Sequence, residues 1–316
     1  MEFDQPGMFT RAEALATGFT DDDLRRGRAT GTIVTVRRGY FIRTALYREM
    51  TAHQQHSLLS RAVYQESGNE AVLSHVSAAV VHGMDTWNIP LDKVNLTIGR
   101  SYAGKKGRRR ILHGTSIDAG EWTTTDGLRV TTPARTVVDL ALSTTPAQAV
   151  SVGDYALNRR LTTATELDEA LASAHGKTGI AQARHAVGLM SSRSESVGES
   201  RSRLLLGAMQ IPTPLLNQWV YDGAGKFVAR VDFLWPELGV IGEFDGRLKY
   251  KSKADDVAIA EKNRENRLVD LGWTVVRWEW DELESPQLLR ARFEAAFARA
   301  AKHSAPGGTY SDTRRR

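Results

Sequence analysis

The sequence predicts a multidomain α/β protein, and three observations carry that expectation. At 316 residues the chain exceeds the roughly 100–200 residues that one hydrophobic core usually serves. Segments of helical and of strand periodicity alternate along it. The short polar stretch Ser191 to Ser196 (SSRSES) lacks apolar periodicity and reads as a linker. The expected boundaries are 1–48 for a helix-and-hairpin unit and 49–190 for an α+β middle domain. A C-terminal α/β domain with a mixed sheet follows at 195–302, then a disordered basic tail at 303–316.

Thr10 and Glu13 have the spacing of a capping box, which opens a short helix through Ala16. Gly18 ends it, and Thr20 with Asp21, Asp22 and Asp23 opens a second helix whose first turn favours negative charge. Thr32 to Val36 and Tyr40 to Ile42 read as strands of a hairpin with Arg37, Arg38 and Gly39 at its tip. Helix, turn, helix, hairpin is the order of a winged helix. In such a module the start of the second helix approaches base edges, where acids are unfavourable, whereas Arg37 and Arg38 suit phosphate contact.

Helices are expected over His53 to Tyr64, Ser74 to Gly83, Ala134 to Leu142 behind Pro133, Pro146 to Asn158, Ala164 to Ala174 and Ile180 to Met190. Lys93 to Ile98 and Arg129 to Thr131 read as strands. Between them lies RSYAGKKGRRR, Arg100 to Arg110, whose glycines favour a flexible loop. Its Lys105, Lys106, Arg108, Arg109 and Arg110 are either solvated or a phosphate-contacting patch. The histidines of this region lack ligand spacing and are assigned no metal.

Cysteine is absent, which excludes disulfides, thiolate metal sites and cysteine nucleophiles. No run of about 18 apolar residues and no signal-peptide pattern occurs, so no membrane span and a cytoplasmic location are expected. The net charge of +5 fits a nucleic-acid partner.

The C-terminal region carries the chemistry. Glu199 stands in the first turn of a helix running into Leu204 to Leu206. In FVARVDFLW, Phe227 to Trp235, a carboxylate at Asp232 interrupts a mostly apolar strand. On the next strand, Val240 to Asp245, Glu243 and Asp245 are two apart and point the same way. Such carboxylates repel one another unless something positive sits among them, and Mg²⁺ or Mn²⁺ suits an all-oxygen donor set. Lys249 and Lys262 would add positive charge. Alternatively the acids face solvent or pair with Arg247, Lys249 or Arg264, and spacing leaves both readings open. Val257, Glu261, Arg264, Leu268 and Leu271 form a helical stripe, and Thr274 to Trp280 a further strand.

The runs GESRSRLLL, ARVDFLWPELGVIGEFDGRLKY and AEKNRENRLVDLGWTVVRWEWDEL resemble the actinobacterial very-short-patch-repair-like endonuclease domains of the PD-(D/E)xK superfamily. The resemblance spans Gly198 to Leu283 and implies a restriction-endonuclease-like α/β fold. It also implies a metal site in which Glu199 is the helix acid, Asp232 the first-strand ligand, and Glu243 and Asp245 the second-strand acids. The superfamily lysine two residues beyond the second acid is replaced here by Asp245. FTRAEALATGFTDDDLRRGRATGTIVTVRRGYFI resembles the winged-helix domain of AbiEi-type antitoxins, and LSHVSAAVVHGM with VTTPARTVVDLAL resembles the domain that follows it. That resemblance implies operator DNA and a nucleotidyltransferase toxin as partners.

The first functional expectation is thus a Mg²⁺-dependent DNA endonuclease in defence or repair. The second is an antitoxin-like repressor with a catalytically inactive nuclease-like domain. A double-strand cut from one site per chain would call for an oligomer.

Overall fold

The computed structural model describes residues 7–68, 70–99, 105–246 and 255–315, with backbone alone for 105–106 and 255–260. The chain is an α/β multidomain protein that divides into two compact units, Met1–Gly188 and Leu189–Arg316.

The first unit opens with β1 (Phe9–Thr10), α1 (Arg11–Ala16), α2 (Asp21–Ala29), β2 (Ile33–Arg37) and β3 (Tyr40–Arg43). Both helices start on capping boxes, Thr10 with Glu13 and Thr20 with Asp23, in which each pair satisfies amide donors the helix cannot use itself. The strands form an antiparallel sheet in the order β1-β3-β2, and Phe9, Ala14, Leu24, Ile33 and Phe41 close a small core.

Next come α3 (Thr44–Glu49), α4 (Ala52–Gln65), β4 (Val72–Leu73), α5 (His75–Val81), β5 (Val94–Ile98), β6 (Lys105–Lys106), β7 (Arg110–Gly114), β8 (Trp122–Thr125) and β9 (Leu128–Thr131). The strands make a mixed sheet, β6-β7-β5-β4-β9-β8. The expectation of a flexible loop through Arg110 is therefore corrected: Lys105 and Lys106 pair antiparallel with Ile111 and Leu112. The basic residues hid a short hairpin because its ladder is made by the backbone, whatever the side-chain charge. Helices α6 (Pro133–Ser143), α7 (Pro146–Asn158), α8 (Ala164–Ser173) and α9 (Ile180–Gly188) complete the unit, α6 and α7 each with proline in the first turn.

The second unit runs α10 (Val197–Ala208), β10 (Leu215–Tyr221), β11 (Phe227–Trp235), β12 (Val240–Phe244), α11 (Asp255–Asp270), β13 (Thr274–Trp278), α12 (Pro286–Ala300) and β14 (Thr309–Ser311). Its sheet order is β13-β12-β11-β10-β14. Strands β12 and β13 are parallel, so the chain must cross over between them, and α11 is that crossover. One cluster joins Leu206 of α10 and Leu289 and Phe293 of α12 to Phe233, Trp235 and Trp278, while Leu268 of α11 belongs to another with Leu234 and Ile241. Two buried indoles find partners, Trp278 Nε1 donating to Ser202 Oγ at 2.8 Å and Trp235 Nε1 to the Pro212 carbonyl at 2.6 Å.

The expected disordered tail is a second correction. Thr309, Tyr310 and Ser311 pair antiparallel with Tyr221, Val220 and Trp219, covering the open edge of β10. An exposed edge offers a row of backbone donors and acceptors, which three residues of tail suffice to use without an apolar pattern of their own.

Candidate functional site

Asp232 and Glu243 face one another across β11 and β12, because the antiparallel register Phe233↔Gly242 continues to set residue 232 opposite 243. Glu243 in turn pairs in register with Arg277 of β13. Asn217 falls between the pairs Leu216↔Phe233 and Gln218↔Val231, and so lies at the level of Asp232 on β10. One polar row thus crosses four strands of an otherwise apolar sheet. It opens into a cleft of about 330 Å³ lined by Asp232, Glu243, Asp245, Arg230, Arg264 and Arg277, with Glu261 of α11 and the Phe244–Gly246 turn completing the wall.

Each acid has a different surrounding. Glu243 is buried, and its carboxylate accepts from Arg264 at 3.2 Å to both oxygens and lies 2.8 Å from Arg277. Arg277 also reaches Glu265 at 3.4 Å. Asp232 accepts one hydrogen bond, from the Phe244 amide at 2.9 Å, and has no ion-pair partner among the described residues. Burial raises its pKa to about 7, and the nearby charges of Glu199 and Glu243 add to the rise against the opposing pull of the Phe244 amide and Arg264. Asp245 lines the cleft mouth while its amide donates to the Trp278 carbonyl at 2.8 Å.

Glu199, expected as the helix acid, has its carboxylate engaged by its own helix start and by β10. Its carboxylate accepts from Ser196 Oγ at 2.8 Å, the Glu195 amide at 3.0 Å and Asn217 Nδ2 at 2.8 Å. Asn217 is held at a φ of 54° to make that contact, a conformation asparagine tolerates better than most residues. Glu199 therefore acts on Asp232 by its charge. Lys262 is exposed on α11 and absent from the cleft wall, and Lys249 lies outside the described residues.

Sequence reading offered Arg264 as a partner for the acids, and it does pair with Glu243, but it passed over Arg277. Arg230, Arg264 and Arg277 all line the cleft, and their buried Nε–H groups have no hydrogen-bond partner among the described residues. Arg230 is paired with Glu195 and Arg264 and Arg277 with Glu243, so three guanidinium groups bring positive charge to the cleft wall beside its carboxylates. The available signal was the one that marked Asp232: Arg277 interrupts the apolar run TVVRW.

A metal fits this site in a restricted form. No group of three His, Cys, Asp or Glu that could hold a metal ion occurs among the described residues. Mg²⁺, however, is commonly carried by one or two carboxylates with water and substrate phosphate. Asp232, buried beside two further acids and lacking a cationic partner, supplies that kind of site, with Glu243 across the strand pair and Asp245 on the flank.

Packing holds the row in place. A Cβ added at Gly198 of α10 would lie 1.9 Å from the Phe244 ring, so the helix approaches β12 only because this residue is glycine. Gly198→Ala is expected to cost about 1–3 kcal/mol in urea unfolding and to disturb the Phe244 amide that Asp232 accepts from.

The expected DNA contacts of the first unit separate into two groups. Arg37 is tied to Glu66, the residue that follows α4, with Nε–Oε2 at 2.7 Å. Arg38, Arg108 and Arg109 are exposed, Arg110 is partly buried, and the side chains of Lys105 and Lys106 lie outside the described residues. The acids opening α2 are all paired, Asp21 with Arg11, Asp22 with Arg25 and Asp23 with Arg26. No helix among the described residues is long and apolar enough to cross a membrane.

No family model matches the chain. Uncharacterized protein Rv2248 of Mycobacterium tuberculosis (strain ATCC 25618 / H37Rv) is 29% identical in an alignment of 277 residues that covers 84% of this chain and 96% of the relative. Uncharacterized protein MT2308 of Mycobacterium tuberculosis (strain CDC 1551 / Oshkosh) matches with the same identity and coverage. Among solved structures, the Rv2827c protein from Mycobacterium tuberculosis aligns with a TM-score of 0.38 and 16% identity over 63% of this chain and 76% of that one.

Proposed function

We propose that the second unit is a Mg²⁺- or Mn²⁺-dependent DNA endonuclease and that the first unit contributes DNA contact through its exposed arginines. The observation that carries the reading is the composition of one cleft: Asp232 and Glu243 facing each other across paired strands, with the guanidinium groups of Arg230, Arg264 and Arg277 in the same wall. When bound, a divalent ion would supply an activated water and charge neutralisation on phosphate. The chain's own groups do the rest. Arg230, Arg264 and Arg277 orient the phosphodiester and stabilise its growing negative charge. Arg264 and Arg277 fix the Glu243 carboxylate in place, and Asp232 is held by the Phe244 amide with one carboxylate oxygen directed by that bond.

One observation favours a second reading. Glu243 already has two guanidinium partners, and a nuclease-like domain that had exchanged its metal for arginine would show that arrangement. The chain would then be a DNA-binding regulator of antitoxin type, acting with a nucleotidyltransferase toxin. The two readings separate by calorimetry and cleavage. The nuclease is expected to bind Mn²⁺ and gain thermal stability in proportion to ln(1 + [Mn²⁺]/Kd), and to nick supercoiled plasmid; Asp232→Asn should lose all three effects. Absence of metal binding and of cleavage at millimolar Mn²⁺ in folded protein would leave the regulator.

A further inference from the structure

The acidic cleft is continuous with an aromatic surface. Arg230 and Asp232 are two apart on β11 and share a face, and Arg230 is paired in register with Trp219 of β10. Trp219 is thus about 5 Å across the sheet and about 7 Å along it from the level of Asp232. The Arg230 guanidinium lies 5.6 Å from the Trp219 ring centre. A register shift after Val220 brings Phe227 onto the same patch, its ring 5.3 Å from Trp219 and 6.1 Å from Tyr221. The edge strand β14 then delivers two more cations. Arg314 lies 5.5 Å from the Trp219 ring and 5.9 Å from Phe227, and Arg315 lies 4.7 Å from Tyr221.

Phe227 is 38% exposed, and Trp219 is partly exposed. A hydrophobic core does not need arginines on its rings, and a duplex-binding surface does not need exposed aromatic faces. Rings interleaved with guanidinium groups match a single nucleic-acid strand, which offers a π-face on every base and a phosphate between bases. Arg314 is exposed and comes from the end of the chain. It stands on the ring face where a base would stack, and from there its charge can turn to the neighbouring phosphate.

We propose that Trp219, Phe227 and Arg314 form a stacking platform for unpaired DNA, which seats a single-stranded segment beside the cleft. The proposal deepens the nuclease reading by naming its substrate class, single-stranded or locally unpaired DNA, and rests on that reading for its link to cleavage. Binding to the platform needs no metal, so the two are tested apart. The full-length protein is titrated in EDTA with a fluorescent oligothymidylate of about 12 nucleotides and with a duplex of equal length, read by anisotropy.

Trp219→Ala is expected to weaken oligothymidylate binding roughly five- to hundredfold while leaving duplex binding nearly unchanged, and Trp219→Phe to retain most of the affinity. Arg314→Glu, which leaves the core untouched, is expected to weaken binding and to reduce its salt slope by about one. Equal loss for single strand and duplex, or unchanged affinity in folded Trp219→Ala or Arg314→Glu protein, would overturn the platform. Plasmid cleavage by wild type with no dependence of oligothymidylate binding on Trp219 would keep the nuclease and remove the platform. Trp219-dependent binding with no cleavage on any substrate would do the reverse.

Discussion

Asp232→Asn is expected to stabilise the metal-free protein above neutral pH while lowering metal-dependent cleavage by about three orders of magnitude. The stability effect follows from linkage. The folded-state pKa of Asp232, about 7, lies above its ordinary value of 3.8 because burial and two neighbouring acids disfavour the charge. The stability that goes with the protonated form is fully present below about pH 4 and is lost as pH rises through 7. A tenfold difference in proton affinity between the folded and unfolded chain corresponds to about 1.4 kcal/mol, and with solvent reaching the open cleft the gain from Asn at pH 8 should be about 2 kcal/mol. Asn keeps the shape and an oxygen to accept from Phe244, so no cavity offsets the gain. The loss in cleavage reflects removal of the carboxylate that has no other cation to hold, worth several kcal/mol of transition-state stabilisation. Urea unfolding in EDTA at pH 4 and pH 8 checks the first half, with near-equality at pH 4 and separation at pH 8. A variant less stable than wild type at both pH values would mean that Asp232 is a structural charge.

The parts of this site that were legible in the sequence are those whose cause is local. A carboxylate in an apolar strand is anomalous wherever the strand goes, so Asp232 and Glu243 stood out from the alternation of β11 and β12. The capping box at Thr10 and the threonine with first-turn acids at Thr20 are likewise local signals, and both helices begin where those residues say. What escaped was set by pairing between distant segments. Arg277 reaches Glu243 only because α11 returns the chain to lay β13 parallel to β12, and Glu66 reaches Arg37 only through the packing of α4. Strand β14 has no side-chain signature because the partner that makes it a strand is the edge of β10. Glu199 shows the remaining difficulty: its helix position was readable, but the positive φ of Asn217 that draws its carboxylate aside was not.

In the first unit the largest expected loss of stability comes from breaking the pair between Arg135 and Asp139 on α6. Both are buried, at 2% and 3% exposure, with Arg135 Nε donating to Asp139 Oδ1 at 2.8 Å and a second contact from Arg135 to Glu121. Burial raises the Asp139 pKa, and Arg135 is the main force opposing that rise. The other carboxylate oxygen, Oδ2, has no hydrogen-bond partner among the described residues and lies 4.0 Å from His75 Nδ1. Burial lowers the His75 pKa to about 3, so the ring is neutral near neutral pH and cannot take over as a counter-charge. Arg135→Met therefore strands a carboxylate and should cost about 3–5 kcal/mol at pH 7 in urea unfolding. Arg135→Met with Asp139→Leu removes the stranded charge together with its partner and should recover most of that loss. The single variant also has a directional pH dependence. Without Arg135 the Asp139 pKa rises further, so its deficit should shrink as pH falls and the carboxyl group is neutralised. A deficit that is constant between pH 5 and pH 8, or a double variant no better than the single, would show that Arg135 contributes by packing its aliphatic stem instead of by its charge.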